Sequence, residues 1–203
     1  WLKGIEVTVK DAVASARKQA PRFDPANIIG LGIDTTGSTP LPVDRAGKPL
    51  ALYKEFKKNP NAHAWLWKDH TGHREAAEIT ALAAAKHPEY LAKCGGTYSS
   101  EWFWSKILHC LRVDPKVAAA AFSWVECADY IPAVLAGTAD PLTMKRSRCA
   151  AEFDLFSHPA SEARFLQIGL ALWRGPWRRR CLPSGFGWGV MTSRLPRRRR
   201  FHF

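Results

Sequence analysis

Residues 28–33, Ile-Ile-Gly-Leu-Gly-Ile, form an apolar run with no polar face. An amphipathic strand alternates apolar and polar residues, so a continuous run predicts a strand covered on both sides. That demands a parallel or mixed sheet with helices packed on each face. The run then breaks at Asp34-Thr35-Thr36-Gly37-Ser38-Thr39, which is small, polar and rich in hydrogen-bonding groups. Such a cluster suits a polyhydroxylated ligand better than a core. It also suits a turn whose hydroxyls satisfy their own backbone.

The flanking segments supply the helices that such a sheet needs. In residues 4–20, Ile5, Val9, Ala12, Val13 and Ala16 recur at helical spacing, and Pro21 ends the pattern. Residues 73–86 carry a second stripe of Ala76, Ile79, Leu82 and Ala83. After Cys94-Gly95-Gly96, Ser99 or Ser100 can cap a helix over 101–111. That helix holds Trp102, Phe103, Trp104, Ile107 and Leu108, is apolar nearly all round, and is predicted to be buried. Pro115 opens a short helix, and 126–135 reads as another, closed by Gly137. Segments 41–43 and 49–52 flank Asp44-Arg45-Ala46-Gly47-Lys48 and read as a hairpin. Strands and helices interleave, so the expected class is α/β.

Charge divides the chain. Its 203 residues carry a net charge of +12. Residues 1–151 hold 20 Lys and Arg against 15 Asp and Glu, while residues 152–203 hold 10 against 3. All ten basic residues of the second part are arginine, whereas the first part has 13 lysines. Two domains are therefore read: residues 1–151, and an atypical Arg-rich tail over 152–203. Residues 165–173 are apolar, but beyond them Gly, Pro, Trp and Arg mix without a period. The tail reads as an out-of-frame translation of GC-rich DNA, as a disordered terminal segment, or as a nucleic-acid arm with arginines on phosphates and aromatics on bases. Five cysteines lack any C-x-x-C pair, which favours reduced thiols in the cytoplasm. No apolar run approaches the roughly 20 residues of a membrane helix. Asp69, His70 and His73 make only a weak metal pattern, and no metal site is read from them.

Five motifs then occur in order: GIDTTGSTPLPVD, NPNAHAWLWKDHT, GGTYSSEWFWSKILH, SWVECADYIPAVLAGT and RSRCAA. Together they resemble the N-terminal domain of the FGGY carbohydrate kinase family, in its L-ribulose-phosphorylating branch. The resemblance implies part of an actin-like ATPase (ribonuclease H-like) domain, truncated at both ends. It also implies transfer of the ATP γ-phosphoryl, with Mg2+, to the 5-hydroxyl of L-ribulose in L-arabinose catabolism. Thr36, Gly37 and Ser38 match the family's sugar-facing turn, Trp67 and Asp69 its Trp-x-Asp element, and Tyr98 a substrate-contacting tyrosine. Structural roles compete with each: a turn-satisfying hydroxyl, a core Trp, a helix-capping Asp, a packed Tyr. No catalytic residue is assigned, because the family's catalytic base lies beyond the matched region. The missing C-terminal kinase lobe is the implied partner, and this chain alone is expected to be inactive. The resemblance stops inside a motif, where Glu152-Phe153-Asp154 stands in place of Gly, His or Tyr, then Lys. A non-catalytic sugar-binding or regulatory module is the alternative reading.

Overall fold

The computed structural model describes residues 1–137. The RSRCAA motif, the change of composition at 151/152, the run at 165–173 and the Arg-rich tail lie outside the described residues.

Helix α1 spans Leu2–Gln19 and ends at Ala20, whose extended backbone is what a following proline imposes. None of its residues is buried. Only Ile5, Val13 and Ala16 of the apolar stripe are half-covered, and Ile5 leans on the core beside Ile33. The predicted strand at 28–33 is not formed. Ile29 is fully exposed, and Ile28 and Leu31 are more than half exposed. A strand needs a partner on at least one edge. Among the described residues, the two strands pair with each other and, at one isolated bridge, with Pro49, never with 28–33.

Those strands are β1, Pro40–Val43, and β2, Ser123–Glu126. They run antiparallel, with Pro40 opposite Glu126 and Val43 opposite Ser123. Every residue of both is buried. The hairpin reading of 41–52 is corrected here. The turn is present: Asp44 Oδ1 accepts from the Ala46 and Lys48 N–H groups at 2.8 and 2.9 Å, and Gly47 takes a positive φ of 76°. The returning arm contributes only the bridge from Val43 to Pro49. Pro49 has no N–H to extend a ladder, and residues Leu50–Leu52 coil into a 3-10 turn.

Four further helices build the body: α2 (His73–Lys86), α3 (Pro88–Leu91), α4 (Phe103–Val113) and α5 (Pro115–Ala120). A last one, α6 (Cys127–Leu135), follows β2 directly. Helix α4 is the central element, as its all-round apolarity predicts. Phe103, Ile107 and Leu111 pack with Trp65, Val117 and Trp124, while Leu108 packs with Ile79, Ala83 and Tyr98. Helices α2 and α4 approach so closely at Gly72 that an added Cβ would stand 2.8 Å from the Ser105 carbonyl oxygen. Asp114 caps α5 by accepting from Val117 N–H at 3.0 Å. These contacts make a mixed architecture of helices and one small antiparallel sheet, compatible with the α/β class.

Candidate functional site

The 34–39 segment enters β1, so its last residue is held by the sheet. Thr39 O accepts from Cys127 N–H at 3.1 Å, and Thr39 N–H donates to both carboxylate oxygens of Glu126, at 2.7 and 3.0 Å. Within the turn, Thr36 and Thr39 hydroxyls lie 2.9 Å apart, and Thr39 Oγ1 donates to Gly37 O at 3.1 Å. Ser38 adopts φ 51°, in the left-handed region that a serine seldom occupies. A Cβ built on Gly37 would meet nothing within 4 Å. The turn therefore opens onto free space.

That space is a hollow of about 240 Å3 lined by Thr36, Gly37, Ser38, Trp67, Glu101 and Trp102. Its size suits a small molecule, since drug-sized ligands fill roughly 300–1,000 Å3. Its chemistry suits a sugar: indole faces for C–H surfaces, hydroxyls and a carboxylate for hydroxyl groups. A larger hollow, about 660 Å3, is lined by Lys57, Lys58, His63, Lys68 and Asp69 among others. Its lysines are exposed surface groups. The smaller hollow is the better candidate because the hydroxyl turn and the two tryptophans converge there.

Four of the residues singled out in the sequence thus meet: Thr36, Gly37, Ser38 and Trp67. The other two do not line this hollow. Asp69 Oδ1 accepts from Thr71 N–H at 2.9 Å and from Thr71 Oγ1 at 2.5 Å, ahead of α2, and borders the larger hollow. Tyr98 is 3 % exposed. Its hydroxyl accepts from Trp104 N–H at 3.1 Å, and its ring meets Trp102 edge-on at 5.0 Å. Tyr98 stands behind a wall of the hollow.

Besides Trp102, which lines the hollow, three residues escaped the sequence reading of the site. Glu101 lines the hollow, its carboxylate 3.2 Å from His70 Nε2, while His70 Nδ1 lies 2.9 Å from Ser100 Oγ. Lys106 is fully buried on α4 and donates to the carbonyls of Ser38 at 2.7 Å, Leu66 at 2.6 Å and Trp67 at 3.1 Å. Glu126 is 1 % exposed, and burial pushes its carboxyl from an ordinary 4.5 up to about 8. Asp129 raises it further, while the N–H groups of Thr39 and Cys127 and the charge of Lys106 oppose the shift. The available signal was a lysine set among large apolar residues on a helix expected to be buried, since a buried charge requires partners. Nearby thiols are protonated: burial raises both Cys110 and Cys127, the latter to about 12.

No protein-family model matches the chain. Curated relatives do. A ribulokinase of Vibrio parahaemolyticus is 47 % identical over 146 residues, covering 70 % of this chain and 26 % of that protein. One from Mycolicibacterium smegmatis is 40 % identical over 137 residues, covering 68 % and 23 %. One from Geobacillus thermodenitrificans is 30 % identical and covers 95 % of this chain and 34 % of its own length. These matches define the class, a segment of a carbohydrate kinase. Within that class the chain belongs to the ribulokinases. It spans about a quarter to a third of the length of these relatives.

Proposed function

We propose that this chain forms the sugar-holding part of an enzyme that transfers the γ-phosphoryl of ATP to the 5-hydroxyl of L-ribulose, in cytoplasmic L-arabinose catabolism. The observation that carries the reading is the hollow joining Thr36, Gly37 and Ser38 to Trp67. In it, Trp67 and Trp102 pack on the C–H faces of the ketopentose. Thr36 and Ser38 hydroxyls and the Glu101 carboxylate bond its hydroxyl groups. Asp69 and Tyr98 support the site from behind, through the Thr71 turn and the Trp102 ring.

Phosphoryl transfer requires donors and magnesium on the phosphates, and a carboxylate on the acceptor hydroxyl. Among the described residues no three His, Cys, Asp or Glu side chains gather to hold a metal. By the family resemblance, ATP and Mg2+ belong to parts of the full enzyme outside this chain. The chain's own task is to orient the sugar and exclude water from it. The full enzyme is read as two lobes of the actin-like ATPase type closing over both substrates. The boundary at 151/152 is kept on composition, although the 95 % coverage of one relative carries that alignment beyond residue 151. Sequencing the coding DNA across codon 151 tests it.

Equilibrium dialysis with L-ribulose tests the site. The 203-residue chain is expected to bind ribulose saturably, without ATP turnover in a coupled assay. Trp67→Ala weakens binding by about tenfold or more, the effect of losing one stacked aromatic. Unchanged affinity in Trp67→Ala removes the hollow as the sugar site.

A further inference from the structure

We propose that Lys106 is a positioning residue for the sugar, one that clasps the two walls of the hollow together from beneath. This rests on reading the hollow as the ribulose site. One wall is the 36–38 turn and the other is the segment containing Trp67. The two are about thirty residues apart in sequence and belong to irregular backbone. Lys106 reaches both: Nζ donates to Ser38 O at 2.7 Å on one side, and to Leu66 O and Trp67 O at 2.6 and 3.1 Å on the other.

The chemistry fits a clasp closely. An ammonium has three donors and no acceptor, and three carbonyls receive them. Two of those carbonyls belong to Ser38 and Trp67, whose own residues line the hollow, so fixing the backbone fixes the lining directly. Lys106 follows Ser105, whose single hydroxyl proton has the carbonyl oxygens of Ser99, Ser100 and Trp102 within reach at 2.9, 3.1 and 2.8 Å. It precedes Ile107 and Leu108, which anchor α4 in two separate cores. The ammonium therefore hangs from a turn of α4 anchored on both sides.

Stability alone does not account for it. A buried charge is costly, and an apolar side chain of similar volume commonly serves a core as well or better. What an apolar side chain cannot do is gather carbonyls from two loops. Glu126 complements the arrangement. Its buried carboxyl group accepts from Thr39 N–H, the next backbone group along, so the turn is held at Ser38 by the cation and at Thr39 by the acid.

Three measurements on the 203-residue chain test the clasp. In Lys106→Met, hydrogen exchange is expected to accelerate at residues 34–39 and 66–69, while α2 and the 107–111 turn of α4 keep their protection. L-Ribulose affinity falls by about tenfold or more, as expected when charge-assisted hydrogen bonds are lost, with the circular dichroism of the helices unchanged. A lysine that serves the core alone gives the reverse: exchange rises across α4, or melting falls, with ribulose affinity intact, and the proposal is then wrong. If Lys106→Met does not fold, nitrogen-15 NMR of the unmutated chain decides. A slowly exchanging lysine ammonium signal that shifts on ribulose addition upholds the clasp, and its absence overturns it. If the unmutated chain does not bind ribulose, the sugar-site reading fails by itself. The local exchange pattern in Lys106→Met still decides whether the lysine joins the two walls.

Discussion

Glu126 offers the sharpest test of the buried electrostatics. Its carboxyl is 1 % exposed, and burial is the largest influence on it, moving it from an ordinary 4.5 to about 8. In the unfolded chain the same group ionises near 4.5. Between those values the folded state keeps a proton that the unfolded state releases. Stability therefore falls as pH rises through that window, and the Glu126 contribution is flat on either side of it. Each pH unit is worth about 1.4 kcal/mol, so the full window amounts to roughly 5 kcal/mol at most. Such a difference is a large share of the stability of an ordinary domain.

Glu126→Gln removes the titration while leaving a carbonyl oxygen for Thr39 N–H. The assay is urea unfolding followed by tryptophan emission, at a series of pH values from below about pH 5 to above about pH 8. Other titrating groups are common to both proteins, so the difference between the two profiles isolates residue 126. The wild-type chain should lose several kcal/mol relative to Glu126→Gln as pH rises. Parallel profiles, or a wild-type chain that gains on the variant with rising pH, would refute the argument. Either result would mean that Glu126 is ionised throughout and that Lys106 outweighs the burial.

Two further substitutions probe the frame around the site. Gly72→Ala places a Cβ 2.8 Å from Ser105 O and 3.0 Å from Ser105 C, both backbone atoms. Helices α2 and α4 must separate, and a loss of about 1–3 kcal/mol is expected in thermal or urea unfolding; a neutral result would show that the two helices slide freely. Arg112→Met strips Glu75, itself 5 % exposed, of its guanidinium at 3.2 Å and leaves it only His109 at 3.1 Å. A loss of about 2–4 kcal/mol is expected, because an uncompensated charge remains inside. A loss under about 0.5 kcal/mol, typical of exposed pairs, would place Glu75 in contact with water.

The helices were legible because their signals are local. The stripe in 73–86 recurs in α2, which spans His73–Lys86. Pro115 opens α5 and Gly137 follows α6 as expected. Strands depend on neighbours, and here the sequence misled. The run at 28–33 has a strand's composition but no partner among the described residues, while Pro49 stops the expected hairpin after one bridge. Strand β2 is only four residues between two helices, too short to show a period. At the site, the hydroxyl turn and Trp67 were legible through motifs. The placements of Asp69 and Tyr98 were not settled there, because each residue type serves a sugar or its own backbone neighbourhood equally well; here Asp69 holds Thr71, two residues on, and Tyr98 accepts from Trp104 N–H.

The same contrast bears on how the sugar turn is held. On its amino-terminal side lies a segment whose pattern asks for cover on both faces, yet Ile29 is fully exposed and α1 buries nothing. On its carboxy-terminal side every residue from Thr39 to Val43 is buried. The residues that fail to bury are those whose composition requires neighbours, and the chain spans only about a quarter of most of the relatives it matches. Within the described residues the turn is therefore tethered from one side, through β1, Glu126 and Lys106. A ligand that touches Thr36, Gly37 and Ser38 meets backbone whose position is set by two buried polar groups, the Glu126 carboxyl on β2 and the Lys106 ammonium on α4. Shape in the hollow is then governed by the helical body, and the apolar run before it contributes least. This ordering explains why the hydroxyl turn depends on Lys106 and Glu126, two residues that lie within other motifs but were not read there as site residues.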